Sequence, residues 1–175
     1  TYIQPGIWIL RFIPNKIIDG RYDIWLPSIS RLNDRTGFLR PDSELTFTVP
    51  STSFQAVSVG AYNSRTLSPA PFSGRGFVSD GGADIIAKPE LIAPGVGIGV
   101  TATRFVTGTS FATPFVTGSA ALIMEWGIVR GNDPYLYGEK IKAYLIRGAK
   151  HLPGYEKWPN KQAGWGALCL RDSLV

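Results

Sequence analysis

Cysteine and histidine each occur once in the 175 residues. The lone Cys169 excludes an internal disulfide, so stability has to come from packing or from partner chains, although it fixes no redox compartment. Dense basic runs are missing too. The net charge of +5 is spread over Arg11, Lys16, Arg21, Arg31, Arg35 and Arg40 at one end and Lys140 to Lys161 at the other, without the clustered cations and module of a nucleic-acid binder. Solvated faces, or contact with a more acidic partner segment, explain the charge better. No uninterrupted apolar run reaches membrane-spanning length, because Thr113, Pro114, Thr117, Ser119 and Glu125 break the best candidate. No initiator Met and no signal-like n-region precede Thr1, so the chain reads as a processed product or a fragment. What is plentiful is apolar content, 44% of residues, which excludes disorder and suffices for one domain with a real core.

One stretch stands out, Gly108-Thr109-Ser110-Phe111-Ala112-Thr113-Pro114-Phe115-Val116-Thr117-Gly118. A serine among small residues, where a loop enters an apolar helical run, is presented rather than buried. The run Gly118 to Met124 is small and apolar on every side, which a helix tolerates only when other layers surround it. Ser110 is then expected at the mouth of a buried helix, where unpaired N–H groups and the positive end of the macrodipole favour an anion. The residues alone leave two uses open: a nucleophile whose oxyanion is held there, or a Ser/Thr cap beginning a core helix. Pro114 lacks an N–H for a carbonyl near Ser110, and a local kink is expected.

Elsewhere, Ile7 to Ile13 and Arg21 to Leu26 read as strands, separated by Pro14-Asn15-Lys16 and Asp19-Gly20. Trp8 and Trp25 suit packed core or sheet-to-sheet contact better than a carbohydrate platform. A boundary falls near Pro41. Leu45 to Val49 alternates, and Ala56 to Ala61 forms a short apolar strand. Gly81-Gly82 and Gly95 to Gly99 allow tight backbone approach. Gly138 to Gly148 is an amphipathic surface helix with Ile141, Tyr144 and Leu145 on its apolar face, and Gly164 to Leu170 is a short strand with a closing turn.

The serine stretch resembles the nucleophile motif of the subtilisin-like serine proteases, Gly-Thr-Ser-x-Ala-x-Pro-x-Val-x-Gly, at seven fixed positions in eleven. Phe115 departs from the family's usual His, which is not the catalytic base. Val57-Ser58-Val59-Gly60-Ala61, Phe72-Ser73-Gly74-Arg75-Gly76 and Lys88-Pro89-Glu90-Leu91-Ile92-Ala93-Pro94-Gly95-Val96 resemble three further family motifs, in the family's order. The resemblance implies an α/β fold, the C-terminal half of a subtilisin-like parallel-sheet domain with a buried central helix. It makes Ser110 the nucleophile and the Ser110 N–H one oxyanion donor. The N-terminal Gly-Ile-Trp-Ile-Leu and Asp-Gly-Arg-Tyr-Asp-Ile-Trp-Leu-Pro segments, with Met124 to Ile128 and the closing Gly-Trp-Gly-Ala-Leu-Cys, look like the clostridial Csp-like spore-germination subtilases. On that likeness residues 1–40 are the terminal strands of an inserted jelly-roll-like β domain, and 41–175 the C-terminal part of the catalytic domain.

A serine nucleophile needs a base and a group to orient it. His151 lies downstream of Ser110 in a Pro/Gly-bearing loop, whereas the family runs Asp, His, Ser, so it reads as a loop residue. A Cys169–His151 dyad fits no better, Cys169 being set among apolar neighbours as a small buried side chain. The triad His and Asp and the oxyanion Asn are therefore expected in an upstream segment, the partner of this chain, and the chain alone is expected to be inactive. The function implied is that of a serine endopeptidase acting on a protein or peptide, in a spore or another secreted, extracytoplasmic setting. The rivals are an inactive pseudoprotease that binds or signals, and an assembly module pairing through an exposed sheet edge. No cofactor is expected. Calcium is frequent in the family and would belong to the complete protein, since no Asp/Asn/Glu cluster here has ligand spacing.

Overall fold

The computed structural model describes residues 4–20, 22–27, 31–33, 35–79 and 85–174. The chain divides into two compact units, one running to Leu39 and one beginning at Arg40. In the first, the rings of Phe12 and Tyr22 stack at 5.5 Å, and Trp8 Nε1 donates to the Gln4 carbonyl at 3.2 Å. The strands expected at 7–13 and 21–26 are not formed among its described residues; Arg21 itself lies outside them. A strand is made by its neighbour, and two short segments with no further strand beside them do not sustain a ladder. Their apolar side chains stay open, Trp8 68% and Ile18 91% exposed.

The second unit is built around two parallel strands, β1 (Val59–Asn63) and the four-residue Leu91–Pro94. In chain order the elements between and after them are β2 (Ser68–Pro69), β3 (Val78–Ser79), β4 (Ile86–Ala87), then Leu91–Pro94 as β5, β6 (Ile98–Gly99) and β7 (Phe105–Val106). The main sheet runs β2-β1-β5, with β2 antiparallel to β1, so it is mixed. Val59 faces Leu91 and Ala61 faces Ala93 in the parallel register. Leu91, Ile92 and Ala93 are all fully buried, the continuous apolar signature of a strand covered on both faces. Leu91 and Ala93 join Ala61, Ala112, Val116, Ile123 and Leu145 in the principal core, while Ile92 turns to a second cluster with Leu152, Ala163 and Ala167. The segment expected as a closing strand forms only isolated bridges. Ala167 bridges Ile92 and Lys150, and the chain then ends in a short helix, α3 (Leu170–Ser173).

Two long helices cover one side. α1 spans Thr109–Met124 and runs on into a π-helical turn, Glu125–Val129; α2 spans Gly138–Arg147. α2 matches its expectation, with Leu145 buried and Ile141 and Tyr144 packed on the core. α1 differs. It packs against β1, β5 and α2 through one stripe, Ala112, Val116, Ser119 and Ile123, at the i, i+4, i+7, i+11 spacing of a single helix face. Its other side is bare, with Phe115 42%, Leu122 50% and Met124 45% exposed, because no second layer lies there among the described residues. The interruptions expected to disqualify the run do not shorten it. Thr109–Val129 is long and apolar enough to cross a membrane by length and composition, and here it packs on β1 and β5 through its buried stripe.

The alternating Leu45–Val49 is a loop rather than a strand. Leu45 takes φ 52°, and the segment is fastened by Thr46, whose N–H donates to the Arg75 carbonyl at 2.8 Å. The Gly81-Gly82 turn lies outside the described residues.

Candidate active site

β5 leads to the serine by way of a hairpin. Gly95, just past the strand, donates to the Tyr62 carbonyl at 3.0 Å and accepts from the Gly108 N–H at 2.8 Å. The chain between Gly95 and Gly108 is the β6–β7 hairpin, so Gly108 is returned to the sheet's C-terminal end to begin α1. Gly108 is the N-cap, at φ 154° and ψ 160°, a region essentially reserved for glycine. No side chain caps this end and no acidic residue sits in its first turn. Ser110, the second helical residue, is exposed, and its N–H belongs to the first turn, which has no intrahelical acceptor. Hydroxyl and free amide are thus presented together at the positive pole of α1, where a developing oxyanion is stabilised.

Pro114 stands four residues after Ser110 inside the helix, so the Ser110 carbonyl has lost its usual donor. Thr113 and Thr117 take up neighbouring carbonyls instead, Thr113 Oγ1 donating to Thr109 O at 3.1 Å and Thr117 Oγ1 to Thr113 O at 3.3 Å.

A cleft of about 400 Å³ reaches Thr109, the residue before the serine, but is not lined by Ser110 itself; Val59, Phe47, Phe72 and Ser73 are also among its lining residues. Its two walls are tied to each other. Thr46 N–H donates to Arg75 O, and Arg75 N–H donates to Thr46 Oγ1, both at 2.8 Å. Glu44 holds the same walls through Lys161 at 3.0 Å and Arg75 at 3.5 Å. The hydrogen bond from Lys161, aided by its charge and by Arg75, keeps the Glu44 carboxyl below the usual range against the opposing effect of desolvation.

Lys88 and Glu90 flank Pro89, whose bond to Lys88 is cis, and both are buried. Glu90 Oε1 accepts from Lys88 and from Lys142, each at 2.6 Å, and Glu90 Oε2 accepts the Ser58 N–H at 2.7 Å. Burial pulls the Lys88 ammonium below its usual range, with Glu90 acting in the other direction. A buried charge is tolerated when paired and fully hydrogen-bonded. Lys88 meets this condition, donating also to Ser53 O at 2.7 Å and Ala56 O at 2.9 Å.

His151 stacks on Trp158, rings parallel to within 1° and 4.4 Å apart, in the region of the second apolar cluster. Cys169 is half-buried and caps α3, its carbonyl accepting from Ser173 N–H at 3.2 Å. Sequence order offers Ser110 no companion within the chain, and the structure adds two things that spacing did not reveal. These are the Gly95–Gly108 link, which sets the height of the helix mouth, and the Lys88–Glu90–Lys142 network. The only trace of the network in the sequence is a pair of charges inside an otherwise apolar segment.

Comparison with known proteins bears on this geometry. Residues 29–166 match the model of the subtilase family, Peptidase_S8. No curated protein sequence matches. Among solved structures, the CspB protease of Clostridium perfringens is 45% identical with a TM-score of 0.71, over 81% of this chain and 31% of that one. The prenylagaramide maturation protease PagA is 30% identical with a TM-score of 0.55, over 72% of this chain and 44% of its own. The patellamide maturation protease PatA is 26% identical, also with a TM-score of 0.55 and the same two coverages. The chain therefore spans less than half the length of each. The family model covers most of the chain and the CspB protease is 45% identical over 81% of it, so the chain belongs to the subtilase family.

Proposed function

We propose that this chain is the C-terminal part of a serine endopeptidase of subtilisin type, with Ser110 as its nucleophile. The observation that carries the reading is the position of Ser110, exposed at the uncapped N-terminus of α1, one residue after Thr109, which lines a cleft. Ser110 Oγ forms the bond to the peptide carbonyl carbon as its proton passes to a base, and the oxyanion faces the Ser110 N–H. One such donor is worth about 10²–10³ in kcat. The base His, its orienting Asp and the second oxyanion donor, an Asn, come from a segment N-terminal to this chain. The bare apolar side of α1, Phe115, Leu122 and Met124, supports the presence of such a segment, since exposed apolar surface of this extent marks a covered face. Likeness to the CspB protease supports a spore-associated, extracytoplasmic setting and a role in germination. Residues 1–40 are read as the end of an inserted β domain, whose remaining strands would complete the ladder that 7–13 and 22–26 do not form here.

A fluorophosphonate probe tests this on the full-length protein and on the chain alone. Ser110 is expected to be labelled in the first and not in the second, and Ser110→Ala to lower kcat on the order of 10⁶-fold. An unlabelled Ser110 in the full-length protein would overturn the reading in favour of an inactive, partner-binding subtilase.

A further inference from the structure

The segment from Thr48 to Ser58 forms one side of the cleft through Thr48 and Ser51, yet it contains neither helix nor strand. Four of its carbonyls are held from outside the segment's turns. The Ser51 carbonyl accepts from Ser58 Oγ, those of Ser53 and Ala56 from Lys88 Nζ, and that of Phe54 from Lys142 Nζ at 3.0 Å. Lys88 Nζ also reaches Ser58 Oγ at 3.2 Å. Every one of these donors is seated by Glu90 or by a group that Glu90 orients: Lys88 and Lys142 share its Oε1, and the Ser58 N–H takes Oε2. A loop shaped by cations in this way keeps its form only while those cations are placed, because irregular backbone cannot satisfy its own polar groups.

Lys142 is the member that reaches outward. It lies on α2, is 23% exposed, and bonds both Phe54 O and Glu90. We propose that Lys142 is a positioning residue for substrate binding: through Phe54 and Glu90 it couples α2 to the wall of the cleft that reaches Thr109. This rests on the protease reading above. Substrate touches the wall and not Lys142, so loss of the lysine should weaken binding without altering the nucleophile.

The test uses the full-length protein, with each preparation titrated by fluorophosphonate so that rates are expressed per reactive Ser110. Lys142→Met is expected to raise KM for a peptide substrate on the order of tenfold, the size of one lost charge-assisted hydrogen bond, with kcat per site unchanged. A rise in KM alone is the signature of lost ground-state and transition-state binding together. Lys142→Arg, which keeps the charge and the donors, should recover most of the loss. Amide exchange across 51–58 should quicken in Lys142→Met and return in Lys142→Arg. The variant should fold, since Glu90 retains Lys88 and the Ser58 N–H; Lys142→Gln replaces it otherwise. An unchanged KM per titrated site, or equal loss in Lys142→Arg, overturns the proposal. If the wild type is not labelled, the protease reading falls, and exchange at 51–58 still decides whether Lys142 holds the wall, unchanged exchange being the refutation.

Discussion

Substituting Gly95 by alanine should loosen the seat of the nucleophile in a way that can be sized from the structure. A Cβ at Gly95 would lie 2.6 Å from Ala61 Cβ, 3.0 Å from the Gly108 carbonyl oxygen and 3.3 Å from Ala112 Cβ. Carbon atoms sit comfortably at about 3.5–4.0 Å, so the shortfall against Ala61 is about 1 Å. Neither alanine can rotate aside, and both are fully buried. Relief has to come from backbone, by moving the first turn of α1 away from β1. Overpacking of this kind costs about 1–3 kcal/mol. A displacement of about 1 Å at a reacting group lowers rates by about 10²-fold, and Ser110 is the residue carried by that turn. The assay is a pair of measurements on the full-length protein, the urea midpoint at constant m-value and the rate of fluorophosphonate labelling. Wild-type values in both would refute the packing argument, because they would mean that β1 and α1 accommodate the methyl group without shifting. A lower midpoint with unchanged labelling would show that β1, not α1, gave way.

Gly108→Ala meets no atom closer than 3.5 Å, so its cost should come from φ 154° alone, about 1–3 kcal/mol, read as a lower urea midpoint. Ile123→Ala, in the fully buried stripe of α1, should destabilise by about 2–5 kcal/mol through the cavity it leaves, with thermal or urea unfolding as the check. Acid should weaken the fold by a defined route. Asp133 is held below its ordinary 3.8 chiefly by the hydrogen bond from Lys140, Asp172 chiefly by that from Lys150, and Glu44 below 4.5 chiefly by that from Lys161. A carboxyl lowered in the folded state contributes stability above its unfolded value and loses it as pH falls through the folded one. The unfolding midpoint should therefore be insensitive to these three groups well above about pH 4.5 and decline as pH falls through that value and below, and Asp133→Asn should remove part of that decline.

Legibility in the sequence followed the range of the interactions. The helix beginning near Ser110 and the amphipathic stretch at 138–147 could be read because each depends on near neighbours, whereas the cap is Gly108 and not the Ser or Thr that the residues also allowed. The strand expected at 56–61 lies at Val59–Asn63, shifted towards Tyr62 and Asn63, because its parallel partner β5 pairs with residues 59–62. Ile7–Ile13 has the same composition and forms no strand here, because strand propensity describes fitness for a sheet and does not supply one. The uniformly apolar α1 likewise promised complete burial, whereas coverage depends on what lies opposite, and only Ala112, Val116, Ser119 and Ile123 find it. Lys88, Glu90 and Lys142 could not be joined in advance. Lys142 is 52 positions from Glu90, and no local periodicity connects them.

The hydrogen bond between Gly108 N–H and Gly95 O also fastens the base of the hairpin that lies between them. Residues 100–104 at its tip are exposed, and the Val100 N–H to Arg104 O bond closes that tip on itself. Changes in length there are absorbed above the clamp. The hairpin is accordingly the place where this chain can accept an inserted tag, a fluorophore or a recognition peptide a short distance from Ser110 while the serine keeps its register against the sheet.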